Sequence, residues 1–207
     1  MKPLPFLRRH LARSLLALLV TFAIAHDDTA EAQYLYLDTS GDGEHSMADV
    51  IAPSGMTIAD LWIRTDRNRD GSEAVCGSAD GELTINGYEI ILRATNGTIR
   101  WGALENAIPR FPNALGVTST PTEYHAGFSG GEFLPRGTYR LARLTLEVAS
   151  GTPALAFAPF GSAGGGLLTA FQSQCSGSEF DYTLKLGTDW HDADGLPFGG
   201  QVTNPPH

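Results

Sequence analysis

Apolar residues recur at every second position in segment after segment of this 207-residue chain. Ala59, Leu61 and Ile63 alternate with Asp60, Trp62 and Arg64, and Leu83 and Ile85 with Thr84 and Asn86. Leu144, Leu146 and Val148 alternate with Thr145 and Glu147, and Tyr182, Leu184 and Leu186 with Thr183 and Lys185. Leu155 and Phe157 alternate with alanines, and residues 88–92 form a largely apolar run. A period of two sends one set of side chains to a buried face and the other to water, the pattern of antiparallel strands. The 24 glycines and 12 prolines punctuate the chain with turn signals. Helical spacing is scarce: residues 47–52 have room for one or two turns before Pro53, and residues 103–107 for one short turn. These features predict an all-β fold, an antiparallel β-sandwich with only short helical turns. Within residues 138–149 the alternation changes phase, from Tyr139 and Leu141 to Leu144, Leu146 and Val148. One extra residue near Ala142 and Arg143 restores the register, which predicts a β-bulge there.

The first residues read as a targeting segment. Lys2, Arg8, Arg9 and Arg13 precede an apolar run over residues 15–25, and two small-x-small sites follow, Ala23-Ile24-Ala25 and Ala30-Glu31-Ala32. This predicts a signal peptide over residues 1–32, with cleavage after 25 as the alternative. A single β-sandwich domain over 33–198 and an unstructured tail over 199–207 follow. The apolar run is 11 residues, well short of the roughly 20 that span a bilayer. The expected location is therefore extracellular or periplasmic, with no membrane association once the leader is removed.

The net charge is −9 at pH 7. Without the leader's four basic and three acidic residues, 10 basic and 20 acidic remain, a net charge of −10. Nucleic acid is excluded as a partner, because binding it rests on clustered positive charge. Two cysteines, Cys76 and Cys175, remain in an exported chain, which reads as a disulfide. A loop of that span is worth up to about 4.7 kcal/mol in the chain-entropy picture.

The acidic residues are grouped. Residues 38–49, Asp-Thr-Ser-Gly-Asp-Gly-Glu-His-Ser-Met-Ala-Asp, place oxygen side chains at positions 1, 3, 5, 9 and 12 of a twelve-residue loop, with Gly43 at position 6. A hard cation such as Ca²⁺ takes six to eight oxygens, and alternate residues of a tight turn point inward together. In this reading Asp38, Ser40 and Asp42 ligate by side chain, Glu44 by its carbonyl, Ser46 directly or through water, and Asp49 closes the site. The pattern resembles the calcium loops of dockerin modules, which also end in Asp. It departs from them at His45, where those loops carry an aliphatic residue, and at Pro53, which cuts the following helix short. The alternative is a polar turn between strands, since Asp-Gly and Ser-Gly are ordinary turn choices. A second cluster, Asp66, Asn68 and Asp70 ahead of Gly71, begins like a calcium loop but has Gly77 at position 12. It reads either as a second ion site completed by Asp80 or Glu82, or as a solvated charged turn. A third, Asp189 with Asp192 and Asp194 around His191, reads first as a solvated acidic turn; the alternatives are Asp192 and Asp194 as added ligands to an ion held elsewhere, or His191 with carboxylates as a transition-metal site.

No catalytic set stands out. Gly127-Phe128-Ser129-Gly130-Gly131 fits the G-x-S-x-G pattern, but that motif needs a strand-to-helix turn and no helical segment follows. Asn96-Gly97-Thr98 is a glycosylation sequon, more simply read as a hairpin turn. Trp62 and Trp101 are either sugar-stacking aromatics on a sheet face or core tryptophans.

Residues 57–66, 88–94 and 137–146 give an order of elements that resembles the cohesin-type and carbohydrate-binding β-sandwiches of secreted bacterial proteins. The resemblance implies non-catalytic binding of a protein or polysaccharide partner. The expected function is thus a secreted, calcium-stabilised binding or adhesion module. The alternatives are a small secreted polysaccharide hydrolase and a structural surface protein without a soluble ligand.

Overall fold

A computed structural model describes residues 32–68, 73, 83–162, 166–175, 181–185, 191–192 and 202–203. The alternating segments form ten strands: β1 Ala32–Asp38, β2 Met56–Asn68, β3 Leu83–Asn106, β4 Asn113–Thr120, β5 Glu123–Leu134, β6 Thr138–Phe157, β7 Ala170–Cys175, β8 Asp181–Lys185, β9 His191–Asp192 and β10 Val202–Thr203. They hydrogen-bond in the order β4-β5-β3-β6-β2-β1-β9, with β7 on β3, β8 on β7 and β10 on β6. Every pair is antiparallel except β1 with β9. No helix occurs among the described residues. The chain is an all-β antiparallel sandwich, as its period of two requires.

The core lies between two layers. Leu35 and Leu37 of β1, Ala59, Leu61 and Ile63 of β2, and Leu141, Leu144 and Leu146 of β6 point inward from one side. Ile85, Tyr88, Ile90 and Leu92 of β3, Tyr124 and Ala126 of β5, and Phe171 of β7 meet them in the same cluster. Removing such side chains from water is the main stabilising term, about 1.5–3 kcal/mol for each large one. Tyr88 also ties the layers by a polar contact, its hydroxyl lying 3.1 Å from the Leu141 carbonyl and 3.1 Å from Asn106 Oδ1.

Two strands are unusually long, β3 with 24 residues and β6 with 20, where strands usually run 3–10. The Asn96-Gly97 pair, expected to turn a hairpin, instead sits inside β3. There the register with β6 shifts between Thr95 and Gly97, and Asn96 has φ +61°. Asn is among the few non-glycine residues that visit this left-handed conformation readily. Gly97 must lack a Cβ, because one would run into the Ser150 carbonyl. The turn signal is real, but β6 pairs across it, so the backbone makes a bulge and continues. Residues 103–106 likewise extend β3 and form no helical turn. Residues 47–52 supply only a tight turn, closed by the Asp49 N–H donating to the Ser46 carbonyl at 3.1 Å.

The expected bulge in β6 is present. Leu61 faces Ala142 and Trp62 faces Arg140, so Leu141 is the extra residue, and both Leu141 and Ala142 are buried. Of the segment expected to be an unstructured tail, Val202 and Thr203 pair with Leu155 and Ala154 of β6. The rest of that segment, the leader before Ala32, Asp70 and Cys76 lie outside the described residues. Cys175 ends β7 opposite Leu83, which is seven residues along the sequence from Cys76.

Candidate functional site

The 38–49 turn leaves β1 and folds back onto the outer face of that strand. Asp38 and Asp49 are 2% and 4% exposed. Asp38 Oδ1 accepts the Gly41 N–H at 2.7 Å and the Ser40 hydroxyl at 3.1 Å, and its Oδ2 accepts the Gly43 N–H at 2.8 Å. Asp49 Oδ1 accepts the N–H groups of Thr39 at 2.7 Å and Ser40 at 3.1 Å, and its Oδ2 that of Ser46 at 2.7 Å. Gly41 and Gly43 hold φ values of +82° and +81°, which turn their amides toward Asp38 at no cost that a Cβ would impose. Positions 1, 6 and 12 of the sequence pattern therefore do converge, and the acids answer to backbone N–H groups.

Of the other expected ligands, the Ser40 hydroxyl joins Asp38, whereas the side chains of Asp42 and Ser46 take N–H groups of the turn itself. Asp42 is exposed, and its Oδ1 accepts the Glu44 N–H at 2.9 Å. The Glu44 carboxylate lies 3.8 Å from Arg64, and Ser46 Oγ accepts the Ala48 N–H at 3.2 Å. Among the described residues no three His, Cys, Asp or Glu side chains gather as a metal-binding group. The turn thus offers a cation two buried carboxylates, whose Oδ2 atoms each take one N–H and keep a second lone pair.

Of the second cluster, Asp66 ends in loose ion pairs with Arg64 and Arg67, both at 3.9 Å. Arg67 leans toward Asp66, so that carboxylate faces guanidinium groups. The backbone of Asn68 closes β2, while Asp70 lies outside the described residues. Of the third cluster, His191 and Asp192 form β9 beside Tyr34 and Leu35, and the remaining residues lie outside.

Neither tryptophan is a free platform. The Trp62 ring stacks on Tyr36 with centroids 6.1 Å apart and an interplanar angle of 3°. The turn closes over this pair, with Tyr36 donating to the Gly43 carbonyl at 2.8 Å. Burial pushes the Tyr36 hydroxyl well above its ordinary range. Trp101 packs on Tyr124 at 5.4 Å and donates its indole N–H to the Thr120 carbonyl at 2.6 Å. Trp101 packs against the core, whereas Trp62 stays on the outer sheet face under the turn.

The structure adds charged groups that the sequence reading missed. Asp60, on the outer face of β2, is 4% exposed and accepts both Nε and Nη2 of Arg143 at 2.7 Å and Arg140 Nη1 at 3.3 Å. Burial alone would raise its pKa, but the Arg143 hydrogen bonds and the two guanidinium charges outweigh burial and hold it below the ordinary carboxylate range. Arg140 and Arg143 are three apart and would lie on opposite faces of a regular strand; the Leu141 bulge brings both to Asp60. The phase change in the sequence carried this signal.

On the opposite layer, Glu123 of β5 accepts Arg93 Nη2 at 2.9 Å and the Ser162 N–H at 3.0 Å. Burial pushes its pKa up, and the Arg93 and Ser162 bonds bring it below the ordinary range. His125 Nε2 lies 2.9 Å from Glu89 Oε1, which also accepts the Leu168 N–H at 3.2 Å. Ser129 and its flanking glycines lie in mid-strand in β5, so the G-x-S-x-G pattern forms no strand-to-helix turn.

Along β5 from His125 toward Ser129 the outer face carries few large side chains. Gly87 of β3 and Gly127 and Ser129 of β5 contribute little or no side chain, and Leu115 of β4, 61% exposed, lies over Gly127. A shallow hollow of about 120 Å³ opens there, lined by Gly87, Glu89, Leu115, Ser129 and Gln172 among others.

No protein-family model and no curated protein matches the chain. Solved structures similar to it are cohesin modules. A type I cohesin from Pseudobacteroides cellulosolvens is 12% identical with a TM-score of 0.48, covering 85% of this chain and 94% of that one. The sixth cohesin of the Acetivibrio cellulolyticus scaffoldin B, solved in complex with a dockerin, is 8% identical with a TM-score of 0.44, covering 84% and 99%. At such identities the likeness is one of fold alone.

Proposed function

We propose that this chain is an exported, non-catalytic binding module for a protein partner, which docks on the outer face of β7, β3, β5 and β4. The supporting observation is the shallow hollow over Gly87 and Ser129 beside the exposed Leu115. The small Gly87 and Ser129 leave room for a partner's own side chains close to the backbone, and the exposed Leu115, lying over Gly127, gives them an apolar anchor. A polysaccharide partner loses its support, because Trp62 and Trp101 are both committed to packing. Dockerin modules, the partners in some of the similar crystals, are the first class to try. Calorimetric titration against a dockerin panel tests the reading. Leu115→Asp, a change at an exposed position, is expected to weaken a binding partner about tenfold or more. Unchanged affinity in that variant removes this face from the proposal.

The same reading gives the 38–49 turn a structural Ca²⁺, held by Asp38, Asp49, Asp42 and the Glu44 carbonyl, which would bind the turn to β1 more firmly. Free calcium at a hundred times its Kd adds about 2.7 kcal/mol. Thermal melting with calcium and with chelator is the measurement, and identical midpoints would leave the turn to its amides. A Cys76–Cys175 disulfide belongs to the same proposal, and thiol counting on the unfolded, unreduced chain tests it.

A further inference from the structure

A strand at the rim of a sheet exposes a row of unpaired N–H and C=O groups, and proteins blunt such rims with short strands, charges, prolines or bulges. Among the described strands, β9 and β10 have two residues each and β8 has five, whereas β4 has eight. Among the described strands β4 pairs with β5 alone, with the Trp101 indole taking the last carbonyl at Thr120, and it is exposed along nearly its whole length. Residues 113–120, Asn-Ala-Leu-Gly-Val-Thr-Ser-Thr, hold no charge and no proline; Pro112 and Pro121 stand just outside and fix the window. A bulge at Leu115 guards one end, where Ala114 faces Phe128 and Gly116 faces Gly127. From Gly116 to Thr120 the register runs unbroken.

We propose that this stretch pairs with itself, joining two copies of the chain antiparallel through β4. A second copy fits because two antiparallel copies of one strand present the same row of N–H and C=O groups to each other, even though each copy is acidic. Two copies repel wherever acidic surfaces meet, and the uncharged β4 lets them approach without that penalty. With the two-fold axis at Val117, that residue faces its counterpart, Gly116 faces Thr118 and Leu115 faces Ser119. Val117 is half exposed, and the pairing covers two copies of it together. Directly opposed residues have Cβ atoms about 4.5–5.5 Å apart. Five paired residues bury far less than the roughly 1,200 Å² of a standard interface, so the dimer is weak and fills at about 100 μM and above.

Sedimentation of the purified chain from about 10 μM to about 1 mM tests this; the mass is expected to approach twofold at the upper end. Val117→Lys, at an exposed position, is expected to keep the melting curve and return the monomer mass at every concentration. It does so although the added lysine lowers the net charge and with it the general repulsion. Val117→Cys is expected to cross-link between copies under mild oxidation, and Leu115→Cys is not. A monomer throughout overturns the proposal, as does a dimer that Val117→Lys leaves intact, which would sit on another surface. A dimer sensitive to the lysine but without the Val117→Cys cross-link overturns the register. Because β4 also borders the proposed partner face, dockerin affinity is measured at about 10 μM, below the range in which the dimer fills, so that the edge and the partner face stand or fall separately.

Discussion

Asp60 and the pair Asp38 and Asp49 meet the same difficulty by different means. All three carboxylates are almost fully buried, and a buried charge without partners is costly. Asp60 takes two guanidinium groups, Arg140 and Arg143. Asp38 and Asp49 take five backbone N–H groups and one hydroxyl between them. The backbone decides which device is open. In mid-strand the N–H groups are spent on the ladder, so an acid on β2 must be matched by side chains. A turn has N–H groups to spare, and an acid there draws them in.

The comparison can be broken in the amide-held region first. Asp49→Ala leaves the N–H groups of Thr39, Ser40 and Ser46 without their acceptor. About 1 kcal/mol for each gives a loss near 3 kcal/mol in urea unfolding. Asp60→Asn removes the charge but keeps the shape, and the two half-exposed arginines go back to water. A smaller loss of about 2 kcal/mol is expected. Salt sharpens the contrast: at 1 M NaCl the Asp60→Asn loss shrinks, while the Asp49→Ala loss stays, because ions screen charges far better than short amide bonds. Equal salt response in the two variants would collapse the distinction.

Acid gives a third handle. Asp60 and Glu123 are both held below the ordinary carboxylate range in the folded chain. Their contribution is therefore fully present above the unfolded carboxylate pKa of about 4 and is lost as the pH falls through the lower folded values. Urea midpoints between pH 7 and pH 2 should fall along that limb. In Arg140→Ala with Arg143→Ala the fall should be smaller, because without the two guanidinium groups Asp60 is no longer held below its unfolded pKa. The smallest effect belongs to Arg100, whose partner Glu147 is itself well exposed. Arg100→Ala should cost less than about 1 kcal/mol, consistent with an exposed pair.

Much of this was readable from residues alone, for a physical reason. A half-buried strand must alternate, so Ala59, Leu61 and Ile63 announced β2, and Leu144, Leu146 and Val148 announced β6 together with its phase slip. The acidic turn was also legible, since its glycines and its Asp residues stand at fixed spacing. Local signals failed where a distant partner decided the matter. Asn96-Gly97 specifies a turn in isolation, but β6 lies alongside and the strand runs through. The Asp60 clamp needs residues about 80 positions apart in the chain, and nothing at residue 60 points to residue 143. The tryptophans were ambiguous because an alternating aromatic looks the same whether a loop closes over it or leaves it bare.

The passage of β3 and β6 along both layers has a mechanical consequence. β3 bonds to β5 and β7 through its first half and to β6 through its second, and β6 bonds to β2 as well as to β3. Neither layer owns these two strands, so peeling one layer away strips the other of its central members. Hydrogen exchange should accordingly find the slowest amides of β2, β3, β5 and β6 opening with one common free energy, the signature of a body that melts whole.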